Sequence, residues 1–598
     1  MFRQFLSKPR DTSDYSVANN LPEAPVQENH DGNTFGNGQP QEQVQDNDNG
    51  NTLEAGTPSA TNDDDFVTGG RLVALVVALS ITVFLMFLDT SIIATAIPRI
   101  SDEFHFIQDV GWYMSIYQLT NAVFQPLAGK IYQLFNVRFW FVVFLVIFEI
   151  GSLVCGTAQS SAVLIGGRAI AGIGAAGLTS GALTIVAYAA PLNKRPSLTA
   201  FVMGLGQVGL ALGPVVGGAF TSYMDWRWCF LVNIPIGVFA CGLLLPIRVP
   251  GQASKPTPSM LFRKLHWELD LPGFILLSCA AALLLIAVQF GGVEMPWDSN
   301  IIIISFVGAG LIFILWLFWN RTMQNQALIP TTILKSPLFG AAFTQLSLLT
   351  IIFYASFFLP LYFQATRGVS PIQSGIYVLP SILAQIITLL IVGRVVELVG
   401  RVAPFAILAA AIGAGSNMLY YNLDVDTPTA KLVAFQIFNG FGRGLGMPIP
   451  VLAAQAAVQP SEIPLAVSFV TFVSSLGTAI ALSVAGNVFN RSLVHALGEM
   501  GMGLSKMRFV LEAGATGFRD VVDEDEVLAV AIAYLRGIRK VFLLTFFFAV
   551  VGVFMAILMR DIDVRKRTAA VVREEEDGIS LEPVTRGKEP PAAASGLT

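Results

Sequence analysis

Fourteen long apolar runs divide this 598-residue chain, and they constrain its fold more than any other feature. They read as 71–97, 108–131, 139–157, 162–190, 197–221, 228–247, 269–290, 300–319, 339–363, 372–395, 402–421, 432–457, 464–489 and 541–559. Runs of about twenty residues suit α-helices crossing a hydrocarbon core of about 30 Å. Lipid offers the backbone no hydrogen-bond partner, so a spanning segment must be a helix or part of a closed barrel. Barrel strands would alternate in polarity over about ten residues, which these runs do not. The expected fold class is an all-α membrane protein. Composition supports this: 54% of residues are hydrophobic and 13% charged, against about 25% charged in soluble domains.

An even number of crossings places both tails on one side. Lys and Arg in short loops number about seventeen on that side and about four on the other, so the tails are expected in the cytoplasm. Lys130, Arg138, Lys194, Arg195, Arg263, Lys264 and Arg565 to Arg567 carry the bias. The Asn-, Gln-, Asp- and Gly-rich stretch 1–70 is expected to be a disordered cytoplasmic tail, and 561–598 a second cytoplasmic tail. Between them the expected units are 71–247, a linker 248–338 holding two spans, and 339–560. The stretch 490–540 is mixed in charge and is expected as a long outer loop holding a short or amphipathic helix. Asn490-Arg491-Ser492 opens it as a candidate glycosylation sequon.

The chemistry-bearing residues lie inside the spans. Asp89 in the first span is about nine residues, roughly 13 Å, from the outer end, and Arg168 in the fourth lies at similar depth. A charge within hydrocarbon needs a partner or a cavity, so these two are expected to pair and to take part in proton coupling. Glu149, mid-way along the third span, is the second candidate proton carrier, because all four histidines fall in tails or loops. Arg443, deep in the twelfth span, either meets an anionic substrate group or satisfies backbone carbonyls. Gln118, Asn121 and Gln125 share one helical face; with Gln207, Gln345, Tyr354 and Arg443 they are the expected substrate cavity. Ser468, Thr471, Ser475 and Thr478 form a similar stripe.

Small residues shape the rest. Gly209, Gly213 and Gly217 recur every fourth residue around Pro214 and Gly218, a pattern for close helix packing with a bendable point. Gly172-Ile173-Gly174-Ala175-Ala176-Gly177 spells a dinucleotide-binding glycine motif, yet no strand precedes it and the sequence continues as an apolar helix. No phosphate-binding GxxxxGK[ST] occurs, which argues against an ATP-driven pump. No cluster of His, Cys or carboxylates marks an enzyme, and Cys155, Cys229, Cys241 and Cys279 lack metal-ligand spacing. Neither a cofactor, a metal nor a nucleic-acid partner is expected.

Gly129-Lys130 through Arg138 and Gly393-Arg394 through Arg401 also form a faint internal repeat, as in many secondary transporters. With Leu88 to Pro98, Gly167 to Gly177, Gly209 to Gly218 and the run Trp226 to Phe230, these segments resemble the major facilitator superfamily, specifically its fourteen-span drug:proton antiporters and fungal efflux pumps for toxins and secondary metabolites. The resemblance covers about residues 70–560 and implies two six-helix bundles, two inserted helices, alternating access and proton-driven export of a small molecule by a monomer. It assigns Arg168 to proton coupling, matches Asp89 to the acidic position of the first-helix motif, and places Gly129, Lys130, Arg138 and Glu397 in gating. Gln133 and Asn136 depart from the family's loop pattern, which puts a charge-based latch in doubt for the first half. The plasma membrane is the expected location, with the vacuolar membrane as alternative. Uptake or vacuolar loading of basic amino acids or siderophores, or nutrient sensing, are the rival functions.

Overall fold

The computed structural model describes residues 66–104, 110–250, 265–292 and 295–559. The two tails, with Arg263, Lys264 and Arg565 to Arg567, lie outside the described residues. Among those described, the secondary structure is helical apart from one isolated bridge. Each apolar run coincides with a helix. Among the described residues, eleven helices are long and apolar enough to cross a membrane by length and composition. The N-terminal half comprises α1 (Gly69–Phe104), α2 (Val110–Leu134), α3 (Val137–Gly156), α4 (Ser161–Ala189), α5 (Arg195–Tyr223) and the shorter α6 (Trp228–Leu244). Two inserted helices follow, α7 (Leu271–Phe290) and α8 (Asn300–Met323). The C-terminal half comprises α9 (Pro337–Arg367), α10 (Leu379–Val399), α11 (Ala403–Tyr421), α12 (Thr429–Gly446, continued by Ile449–Ala457), α13 (Ile463–Glu499), α14 (Leu504–Gly517) and α15 (Glu524–Ile557).

Glycines set the packing. A methyl group at Gly172 would strike Tyr117 and Thr120 of α2, and one at Gly174 would strike Phe148 of α3. In the second half, Gly440 lies as closely against Ser381 and Ala384 of α10, and Gly442 against Ile412 of α11. The Gly-x-Gly of α4 and that of α12 therefore occupy matching places, each wedged between the matching pair of neighbours. Backbones approach this closely only where no side chain intervenes. The two halves are thus copies of one arrangement, with α7 packed against α2 and α13 and α8 packed on α7.

The stretch 490–540 holds a short helix as expected, but the long loop around it is absent. α13 runs on to Glu499, α14 occupies Leu504–Gly517, and α15 begins at Glu524, so only short turns remain between helices. Hydropathy marks the apolar part of a helix, not its polar extension. Here the extensions are joined by Arg536–Glu499 at 3.0 Å and by Lys506 to Asp523 and Glu526 at 3.1 and 2.5 Å. Asn490 is exposed, but its sequon lies inside α13 with Ser492 buried, so the loop expected around the acceptor is absent.

Candidate functional site

Asp89 and Arg168 meet between α1 and α4. Arg168 Nη1 donates to Asp89 Oδ2 at 2.6 Å, and both side chains are shut off from solvent. The guanidinium is held on every side: Nε donates to the Tyr113 carbonyl at 3.1 Å, and the group sits over the Tyr117 ring at 4.3 Å and nearer the edge of reach of Phe230 at 5.8 Å. The other carboxylate oxygen, Oδ1, accepts from Asn233 Nδ2 at 3.3 Å, which also donates to Ser152 Oγ of α3 at 3.2 Å. α1, α2, α4 and α6 thus converge on one ion pair, and α3 joins them through Ser152. Asn233, Ser152 and Tyr117 were not legible as site residues; an amide within the apolar sixth span was the available signal.

Glu149 lies one helical turn before Ser152 on α3. Both its carboxylate oxygens are buried and neither has a hydrogen-bond partner in the structure. The wall opposite is Gly237 of α6, where any side chain would strike the Glu149 carboxylate. A buried carboxylate without a hydrogen bond is costly when charged.

The expected cavity residues divide by place. On α2, Gln118 is exposed, Asn121 half-buried and Gln125 buried, with Gln125 Nε2 donating to Asn121 Oδ1 at 3.3 Å. One turn further along the same face, Gly129 packs on Ser468 of α13. Burial therefore rises along this face toward the end at which α1 begins, the tail end. Gln207 and Gln345 are buried, each with an unbonded side-chain oxygen. Tyr354 is half-buried and lines a small pocket with Phe358, Thr478, Leu482 and Thr545. Arg443 lies on α12, in the second half, and not with Asp89 and Arg168. It makes no hydrogen bond or ion pair among the described residues, so the backbone-carbonyl alternative is not realised. The residues that do join in the second half are Asn439, Ser416, Ser356 and Ser381: Asn439 donates to Ser416 at 3.0 Å and accepts from Ser356 at 3.1 Å and Ser381 at 3.4 Å.

At the tail end the halves are locked together. Gly393 packs on Pro196 and Ala200 of α5, and Glu397 accepts from Ser197 of the same helix while also pairing with Arg394 at 2.5 Å. Tyr188 donates to the Pro460 carbonyl at 3.2 Å and Gln455 to the Leu183 carbonyl at 3.4 Å. The first-half loop works differently, as Gln133 foreshadows. Lys130 is buried and donates to the carbonyls of Gln326 and Ala327, both at 3.2 Å, just after α8. Arg138 donates to the carbonyls of Leu245 and Ile247 at 3.0 and 2.7 Å. Asp270, at the start of α7, accepts from Leu328 N at 2.6 Å and Trp319 Nε1 at 2.7 Å, completing the attachment of the inserted pair.

The glycine seam lies between α5 and α1. A methyl at Gly209 would strike Phe84, one at Gly213 would strike Ser91 and Ile92, and one at Gly217 would strike Thr95 and Ile92. Gly218 faces open space and takes no part in the packing, because the four-residue period that aligns the other three turns it away. α5 continues as helix through Pro214, which is exposed.

Paired helical halves around buried polar networks, closed at one end, define a membrane transporter. The chain belongs to the Major Facilitator Superfamily, whose profile matches residues 79–482. It is 39% identical to MFS-type transporter calB of Penicillium decumbens, over 84% of this chain and 90% of that protein. It is 41% identical to Efflux pump mokI of Monascus pilosus, over 80% and 89% respectively. A crystal structure of the human organic anion transporter MFSD10 (TETRAN) shares the fold, with a TM-score of 0.52 at 14% identity, covering 81% of this chain and 100% of that one.

Proposed function

We propose that this transporter exports a small amphipathic molecule by alternating access, driven by protons returning along Glu149 and Asp89. The observation that carries the coupling is the juxtaposition of an unbonded buried carboxylate, Glu149, with an ion pair whose acid, Asp89, is tied through Asn233 and Ser152 to the same helix. Protonation of Asp89 removes the charge that holds Arg168, so the cation's remaining contacts to Tyr113 and Tyr117 decide its position. Four helices then lose a common anchor, and the seam of α5 on α1 is the smooth surface along which they rearrange. The burial gradient along α2 and the contacts of Glu397, Tyr188 and Gln455 support a state shut at the tail end and open at the other. With the tails in the cytoplasm, as the Lys and Arg bias favours, that state faces outward at the plasma membrane. The efflux relatives, similar over nearly their full length, support export. A single chain suffices, because both halves are supplied by it.

The test is flux from proteoliposomes of the purified chain under an imposed pH gradient, with a fluorescent amphipathic dye such as rhodamine 6G as cargo. Dye movement that follows the gradient and collapses with a protonophore is expected. Dye movement indifferent to the gradient would refute proton coupling; no movement of any cargo would favour a sensor.

A further inference from the structure

The two inserted helices rest on both halves at once. α7 packs against α2 of the first half and α13 of the second, and α8 packs on α7. Their attachments to the two halves are unequal. At the tail end, the buried Lys130 ammonium of α2 donates to the carbonyls of Gln326 and Ala327, just after α8, at 3.2 Å each. The same segment is bound back to the inserted pair: Asn320 Nδ2 donates to the Ile329 carbonyl at 3.0 Å, and Asp270 accepts from Leu328 N at 2.6 Å. At the outer end, the Phe290 ring that closes α7 lies 4.8 Å from the Trp112 ring at the start of α2.

Toward the second half, Trp297 Nε1, in the turn between α7 and α8, donates to Asn487 Oδ1 of α13 at 3.3 Å. Gly292, at φ 75°, is wedged beside this bond, and a methyl group there would strike both Asn487 and Trp297. α2 and α13 also pack on each other, with Gly129 against Ser468 at the tail end. Opening the tail end requires these two helices to part there, and a body lying on both cannot follow both. Stripping a buried ammonium of its acceptors is the costlier break. A neutral indole–amide bond between half-buried groups exchanges with water at little net cost.

We propose that α7 and α8 travel with the first half as one body, and that the contact of Gly292 and Trp297 with Asn487 is an outer clasp, made in the tail-closed state and released when the tail end opens. The inference rests on the alternating-access reading and adds the surface that must slide, the face of α13 around Asn487. Small sliding of packed helices is an ordinary way for domains to change state.

Two cysteine pairs test it, each bridged by a short, reducible bis-methanethiosulfonate in the full chain without its native cysteines. Bridging Trp297→Cys to Asn487→Cys is expected to stop rhodamine 6G flux in proteoliposomes, and reductant to restore it. Bridging Trp112→Cys to Phe290→Cys joins parts that move together and should leave flux unchanged. Should Asn487→Cys fail to fold, Arg491→Cys, one turn further along α13, replaces it. Flux that survives the first bridge overturns the proposal, and so does flux that stops with the second. Bridging rates give a reading independent of export. Glu397→Ala, which loosens the tail end, should slow bridging of the first pair several-fold and leave the second pair unchanged; an unchanged rate for the first pair overturns the clasp. If the unbridged protein moves no dye, the export reading fails and the bridging rates alone judge the clasp.

Discussion

Arg168 and Asp89, seventy-nine residues apart in sequence, stand 2.6 Å apart in space, and the structure spends Tyr113, Tyr117 and Asn233 on keeping them there. Removing one partner of a buried pair strands the other charge, at a cost of about 3–5 kcal/mol. Arg168→Ala and Asp89→Ala should each lower the unfolding temperature strongly, and the double variant should lower it less than the two together. Additive losses in thermal unfolding of the purified protein would show that the pair is not coupled.

Glu149 makes no hydrogen bond, so Glu149→Gln removes no contact. Its unfolding free energy should stay within about 1 kcal/mol of the natural protein, while the pH dependence of flux flattens. A variant whose pH profile matches the natural one would remove Glu149 from the proton path.

The α1–α5 seam gives a paired comparison. Gly213→Val drives a side chain into Ser91 and Ile92 and should cost about 1–3 kcal/mol. Gly218→Ala projects into open space and should stay within about 0.5 kcal/mol. Equal thermal shifts for the two would contradict the seam's geometry.

Glu397 joins the halves at the tail end through Ser197. A hydrogen bond to a charged group contributes about 1.5 kcal/mol or more, so Glu397→Ala should populate the tail-open state roughly tenfold more. Leu183→Cys, buried in that closure and introduced into a background lacking the native cysteines, should then react faster with a maleimide. An unchanged labelling rate would argue that the other closure contacts suffice.

Beyond the apolar stretch of α1, Arg227 and then Trp226 donate to Glu103 and hold its carboxyl below the usual carboxylate range. A group whose folded pKa is depressed stabilises above its unfolded value, about 4.3, and loses that contribution as pH falls through the folded one. Natural protein and Glu103→Gln should therefore differ in unfolding temperature at neutral pH and converge in acid. A difference that does not shrink as pH falls below the unfolded value would assign the effect to packing.

The spans, the small-residue seam and the matched depth of Asp89 and Arg168 were legible because each depends on local spacing along one helix. Asn233, Ser152, Tyr113 and Tyr117 were not, because their part depends on which helices adjoin. The region 490–540 misled for a related reason: mixed charge predicts a solvated loop, while Arg536, Glu499 and Lys506 pair across helices that extend past the apolar stretch.

By itself the sequence determined that this chain must lie in a membrane as helices, since a backbone in lipid can bond only to itself. It also determined that a few charges would sit within those helices. Only the tertiary structure decided their fates: Arg168 gains Asp89, Lys130 and Arg138 bind carbonyls, and Arg443 is left without a counter-charge. Sequence records that a charge is present; the arrangement of neighbouring helices determines whether anything neutralises it.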